Sequence, residues 1–276
     1  MPSLLAYVQA WQKPITLIGL SLFYLWVTLL LFPITPSIWF SFSRFRDKWF
    51  GRFWKHIGPQ MAAEPVQDPY IHELLQRARG VVLELGPGTG DQSRHYNPAQ
   101  IELLYGAEPN KDLHEQLLAK SAAAGIGRPK YRILNAGAEP GSLIKALKDA
   151  GLINADAKSL PKDGIFDTIV AVKSMCSMHP TEMTATVAII HALLKHGGEF
   201  LFFEHVHSDA DPVSATLVKL TNLIWPYLMG NCHLDSKLDK IIQGTEGWAP
   251  KDIRTIREYQ NHHAFRYVYG RCRRET

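Results

Sequence analysis

Val81-Val82-Leu83-Glu84-Leu85-Gly86-Pro87-Gly88-Thr89-Gly90 is the stretch that decides how this chain folds. Val81 to Leu85 set four apolar residues around one acid, the pattern of a strand buried on both faces of a parallel sheet. Glycines follow at once at 86, 88 and 90. Glycine takes positive φ without strain and has no Cβ, so such a turn is sharp and lets a ligand lie against the backbone. A dinucleotide fingerprint needs its third glycine one position later, where Asp91 stands, which weakens a nicotinamide reading.

Working outward, Ile101 to Ala107 reads as the second strand, and Glu108 ends it about twenty residues beyond the turn. A carboxylate at that point accepts two hydrogen bonds from a vicinal diol. Together, Glu84-x-Gly86-x-Gly88-x-Gly90 and Glu108 resemble the class I S-adenosylmethionine-dependent methyltransferases. The resemblance implies a Rossmann-like α/β fold, a seven-stranded sheet with helices on both faces, and S-adenosyl-L-methionine as cofactor. It places Glu84, Gly86, Gly88 and Gly90 around the amino-acid half of that cofactor and Glu108 on its ribose.

The following segments continue the alternation. Asp112-x-x-Glu115 reads as a capping box and Gly125 as a C-cap, giving a helix over 112–124. Tyr131 to Leu134 is a third strand, and the loop after it carries Ala138 and Glu139, which the resemblance sets near the adenine. Residues 140–164 read as a surface helix and loop. A fourth strand, Ile165 to Val172, delivers Val172 and Lys173 to the cofactor edge. Apolar Met183, Val187, Ile190 and Leu194 mark a helix over 182–195, and Phe200 to Phe203 a fifth strand leading into Glu204-His205. Val213 to Leu228 reads as one apolar lid helix, 247–250 and 265–269 as a closing antiparallel pair, and Arg271, Arg273 and Arg274 as a solvated tail. Ligands of open α/β sheets bind at the C-terminal strand ends, where Gly86, Glu108, Lys173 and His205 converge.

Composition sets the N-terminus apart. No charged residue occurs between Pro14 and Ser43, and Ile15 to Phe32 is almost wholly apolar, long enough to cross most of a hydrocarbon core at about 1.5 Å per residue. Trp11, Trp26 and Trp39 near its ends suit a single-pass membrane anchor over 1–43 better than a signal peptide, for which Phe32-Pro33-Ile34-Thr35-Pro36 offers no cleavage site. A hairpin or interfacial insertion is the alternative. Arg44, Arg46, Lys48, Arg52 and Lys55 stand against Asp47 alone, matching the whole-chain net charge of +4, so the rest is neutral and shows no nucleic-acid footprint. Positive flanks stay cytoplasmic, which places the catalytic domain in the cytosol. Phe45, Trp49, Phe50, Phe53 and Trp54 fit either the lipid headgroup region or a cover over the cofactor cleft. Residues 44–69 are thus a basic-aromatic segment and linker, with the catalytic domain over 70–276. The three cysteines, Cys176, Cys232 and Cys272, show no metal-ligand spacing, and no metal site is expected.

Cys176-Ser177 after the fourth strand, Glu204-His205-Val206 after the fifth, Trp225 and then Gly230-Asn231-Cys232 narrow the resemblance. With the N-terminal apolar helix they are similar to the membrane-anchored methyltransferase-like proteins that include alkyl thiol S-methyltransferases of the endoplasmic reticulum. Pro87 in place of the usual cysteine, a longer 140–164 and a more extended N-terminal segment are departures. The resemblance implies a small lipophilic acceptor, a thiol before a hydroxyl or amine, including a specialised metabolite, at the endoplasmic reticulum or a lipid droplet. A non-catalytic membrane protein with a methyltransferase-like domain is the competing class. A thiol with pKa near 8.5 is only about a few per cent ionised at neutral pH, so a nearby base raises its reactivity. His205 is the first candidate, and His233 and Asp235 in the lid come second. Cys232 reads as a small packed residue.

Overall fold

Strands β1 (Gly80–Leu85), β2 (Ile101–Ala107), β3 (Tyr131–Leu134), β4 (Phe166–Val172), β5 (Leu194–Val206), β6 (Trp248–Thr255) and β7 (Arg266–Arg274) form one sheet in the order β3-β2-β1-β4-β5-β7-β6. The computed structural model describes residues 2–207, 209–259 and 262–275. The first five strands run parallel, and β7 lies antiparallel to both β5 and β6. Strand order reverses between β1 and β4, so a crevice opens beyond their C-terminal ends. As its run of apolar residues requires, β1 is central, with Val82, Leu83 and Leu85 wholly buried.

Helices cover both faces. α1 (Leu4–Leu30), α2 (Phe42–Ala62), α3 (Asp68–Leu75) and α4 (His114–Ala123) lie on one side, and α5 (Pro140–Asp149) and α6 (Met183–Leu193) on the other. α7 (Pro212–Thr221) and α8 (Trp225–Leu228) join the first layer, and α9 (Leu238–Gly244) the second. Ser3 caps α1 through Ala6 N–H and Ser41 caps α2 through Arg44 N–H, each satisfying an otherwise orphaned donor.

The anchor, juxtamembrane segment and catalytic domain expected as separate regions share one core. Trp11 and Leu17 of α1 and Phe53 and Ile57 of α2 belong to the same apolar cluster as Ile71, Val82 and Leu117. Much of the expected linker is also helical, since α2 runs to Ala62 and α3 begins at Asp68. The lid is two helices, with a turn at 222–224 between α7 and α8.

Three further expectations are corrected. Asp112 is not a cap: Asn110 accepts from Asp112 N–H, and the Asp112 carboxylate instead holds Lys48 at 2.6 Å. β5 is longer than Phe200 to Phe203, beginning at Leu194 and continuing through Gly197 at φ +75°. The C-terminal arginines are partly exposed but do not form a free tail. Arg273 donates to Glu199 at 2.8 Å and Arg274 to the Leu194 carbonyl, tying β7 to β5.

Candidate active site

The glycine turn is shaped by what crowds it. Gly86 and Gly88 hold φ values of +62° and +58°, and a Cβ on them would lie 2.7 Å from Ser174 Cβ and 2.5 Å from Trp54 Nε1 respectively. Neither position has room for a side chain, because Ser174 and Trp54 pack there. Gly90, at φ +78°, packs on Leu117 and turns the chain away from the crevice.

Glu108 closes the opposite wall. Its carboxylate accepts from Gly88 N–H and from Asn110 N–H, both at 2.9 Å, and burial pushes its pKa up to about 7. Gly137, Ala138 and Glu139, at the start of α5, line the same chamber. Glu84 sits deeper. It faces Gly106 in the sheet, accepts from Tyr131 O–H at 3.3 Å, and is likewise raised to about 7 by burial. With Val172 it borders a smaller recess beside the glycine turn rather than the main chamber.

α2 roofs the site. Phe50, Phe53, Trp54, Ile57 and Met61 line the chamber, and Leu17 of α1 joins them. Among the described residues the aromatic segment is therefore a cover over the cleft from Phe50 onward. Lys173, in left-handed backbone at φ +55°, pins this roof by donating from Nζ to the Met61 carbonyl at 2.6 Å. Burial pulls its ammonium down to about 7, while the Phe203 ring 5.7 Å away supports the cation.

At the far end, β5 delivers Glu204 and His205. One oxygen of Glu204 accepts from Ser174 N–H at 2.8 Å and Met175 N–H at 2.9 Å, fixing the loop after β4. That loop carries Cys176. His205 is 4% exposed, and its Nε2 lies 3.1 Å from the His233 carbonyl and 3.9 Å from Cys232 Sγ. Burial acts to lower the imidazole pKa, but Cys232, Glu204 and the His233 carbonyl together outweigh it and the net shift is upward. The Cys232 thiol is pushed down by its hydrogen bond with Cys176 and by His205, while Cys176 is pushed up.

Of the residues singled out in sequence, the structure brings Gly86, Gly88, Glu108, Ala138, Glu139, Lys173 and His205 to one chamber. His233 contributes its backbone there, and its ring faces His179 at 6.0 Å. Asp235 is exposed and lies outside the chamber lining, so the structure does not bring it to the site. Cys176 and Cys232 were not expected beside the base. Their positions in the branch motifs were the available signal, but linear spacing gave no sign that they meet.

A glycine-floored, acid-walled crevice at the switch point of this sheet order defines a class I methyltransferase fold. The methyltransferase domain family model matches residues 53–255, most of the chain, and the chain belongs to that family. It is an S-adenosylmethionine-dependent methyltransferase. Its fold is similar to that of an O-methyltransferase family protein from Burkholderia thailandensis, with TM-score 0.57 and 13% identity over 94% of this chain and 72% of that one. N-methyltransferase NodS from Bradyrhizobium japonicum in complex with S-adenosyl-L-homocysteine is similar at TM-score 0.51 and 14% identity, over 77% and 89% of the two chains. YcgJ from Bacillus subtilis gives 0.52 and 14%, over 77% and 99%. No curated protein matches this sequence.

Proposed function

We propose that this enzyme methylates the sulfur of a small lipophilic thiol while held at a membrane surface. The observation that carries the reading is His205 beside Cys232 at one end of a largely apolar chamber whose other end is Gly86, Gly88 and Glu108. S-adenosylmethionine supplies a methyl group on a sulfonium, which a nucleophile displaces in line. The glycine turn fits its amino-acid half, Glu108 its ribose, and the 137–139 loop its adenine. Leu17, Phe50, Ile57 and Met229 exclude water and favour an apolar acceptor. His205 and Cys232 meet the acceptor sulfur at their end of the chamber, and apposition of sulfur and methyl supplies most of the rate.

Membrane attachment rests on a second observation. Among the described residues one helix, α1, is long and apolar enough to cross a membrane. Its first two turns in three are docked: Tyr7 donates to Asp211 at 2.7 Å, Lys13 pairs with Glu64 at 2.8 Å, and Ser21 donates to the Leu228 carbonyl at 2.7 Å. Only Leu22 to Leu30 extends past these contacts, about 14 Å at 1.5 Å per residue, roughly half a hydrocarbon core. α2 then returns alongside it, the turn closed by Trp39 Nε1 donating to the Phe32 carbonyl at 2.7 Å. The tip is apolar and open, with Trp26, Leu30, Ile34 and Phe42 all well exposed and Phe40 95% exposed. A hairpin dipping into one leaflet accounts for this better than a single-pass span, and Arg44 and Arg46 just behind the tip meet the headgroups. Such a hairpin suits the cytosolic leaflet of the endoplasmic reticulum or a lipid-droplet monolayer.

The test is a methyl-transfer screen with the full-length chain in detergent or vesicles, with S-adenosylmethionine and panels of alkyl thiols, phenols and amines. Transfer to thiols supports the reading. Transfer confined to phenols or amines overturns the acceptor, and binding of S-adenosylhomocysteine without transfer to any panel favours a non-catalytic protein.

A further inference from the structure

We propose that Cys176, Cys232 and His205 form a zinc site whose fourth position opens on the methyl-transfer chamber and takes the acceptor as a thiolate. The acceptor half of this proposal rests on the thiol reading above; the metal half does not.

The ligand atoms of these three residues all lie within 4.8 Å of one another, with Cys232 Sγ 3.9 Å from His205 Nε2. Zinc bound at about 2.3 Å to sulfur and about 2.0 Å to nitrogen in a tetrahedron sets its ligands roughly 3.5 to 3.8 Å apart. Closing on the ion therefore asks for movements of about 1 Å or less. Two thiolates and an imidazole are a soft set that selects zinc over magnesium or calcium, and three protein ligands leave one position open.

The three segments are stitched together by groups that do no other evident work. His233 N–H donates to the Cys176 carbonyl at 2.8 Å, and Asn231 Nδ2 donates to the Ser177 carbonyl at 2.8 Å. Asn231, just before Cys232, stands at φ +67°, in the left-handed region that asparagine adopts more readily than most non-glycine residues. Glu204, beside His205, fixes the loop that carries Cys176. Nε2 of His205 faces the thiols and also the His233 carbonyl at 3.1 Å, so in the metal-free arrangement its proton goes to that carbonyl, and the ion replaces the proton.

The site also answers a need of the chemistry. A bare thiolate is disfavoured in an apolar chamber, because burial penalises the charged form. A cation at the chamber wall reverses this, since a coordinating thiol is deprotonated outright. The acceptor thiol would bind as thiolate, its proton released to solvent. Its sulfur lone pair forms the new bond to the methyl carbon as the donor's methyl–sulfur bond breaks, that pair staying on the donor sulfur. Both products are uncharged at sulfur, and the methylated acceptor, now a thioether, is a weak ligand that leaves. His205 is then a ligand, and the ion does what a free imidazole would do as base.

The test begins with metal content. Full-length chain purified from zinc-supplemented cells without chelator should carry about one zinc per chain by mass spectrometry. Cys176→Ser with Cys232→Ser, or His205→Ala, should reduce it at least tenfold, while Cys272→Ser, remote on β7, retains it. Because core substitutions can unfold a protein, the unaltered chain is also loaded with cobalt. Strong visible bands of a tetrahedral site and a thiolate-to-metal charge-transfer band are expected, and zinc should protect Cys176 and Cys232, but not Cys272, from alkylation. Background metal with no charge-transfer band overturns the site, as does a Cys176–Cys232 disulfide in the chain as isolated. The acceptor is read separately by adding a small alkyl thiol to the cobalt form. A spectral shift without methyl transfer leaves the metal site standing and removes the thiol reading. Full thiol methylation by chelator-stripped chain keeps the thiol reading and overturns the role given to zinc.

Discussion

The indole of Trp54 lies against Gly88, so close that a Cβ on the glycine would come within 2.5 Å of Nε1. Trp54 belongs to α2, immediately after an apolar N-terminal run, and Gly88 to the cofactor turn. Their contact makes the N-terminal hairpin a wall of the cofactor chamber.

Gly88→Ala should lose both strain relief and fit. The φ of +58° and the collision with Trp54 act together, at a cost of about 1–3 kcal/mol. Isothermal titration should show S-adenosylhomocysteine affinity down about tenfold or more, with a lowered melting temperature.

Glu108→Gln separates a ribose contact from a structural one. Glutamine still accepts from Gly88 N–H or Asn110 N–H with one oxygen, and it removes a buried acid whose charged form is penalised. Affinity for S-adenosylhomocysteine should fall about tenfold, with little loss of stability at pH 8. Equal loss of both would make the residue structural.

Glu84→Gln should change how stability depends on pH. Burial raises the Glu84 carboxyl from 4.5 to about 7, so between those values the folded chain holds a proton that the unfolded chain releases. Stability from the neutral acid is complete below 4.5 and is lost as pH rises through about 7. Gln is neutral throughout, so its melting temperature relative to the parent should climb between pH 5 and pH 8, by at least about 3 °C. A constant difference would show that Glu84 is not held neutral.

His205→Ala should cost about a hundredfold in the rate of thiol methylation. S-adenosylhomocysteine affinity should stay within about twofold, because the imidazole lies at the opposite end of the chamber from Glu108. An unchanged rate removes His205 from the acceptor site.

Trp39→Glu with Phe40→Glu places two charges at the hairpin tip, where the side chains are 45% and 95% exposed. Co-sedimentation with anionic vesicles should fall about tenfold or more, with cofactor affinity retained. Undiminished sedimentation would locate the attachment elsewhere.

Much of the sheet was legible. β2 and β3 fall where alternation and apolar runs placed them, and the turn glycines and Glu108 carry their geometry in residue type. β5 is longer than the apolar run Phe200 to Phe203 marks, because positive φ at Gly197 lets the strand pass through an irregularity. Asp235 was misplaced for a related reason: adjacency to His233 in sequence says nothing about which side of a loop faces the chamber.

By itself, the sequence determined what short-range chemistry can encode: a buried strand, a turn only glycine can make, an acid at the next strand end, and a helix too apolar for ordinary solvent. Tertiary structure alone decided which side of that helix is used. Composition is the same for a free apolar helix and for a docked one, and tertiary pairings such as Lys13 with Glu64 and Ser21 with Leu228 show that α1 packs on the rest of the chain. It alone also brought Cys176, His205 and Cys232 together. Each sits at the end of a different element, and their separation in space is set by sheet order and by a few loop hydrogen bonds, which no local pattern records.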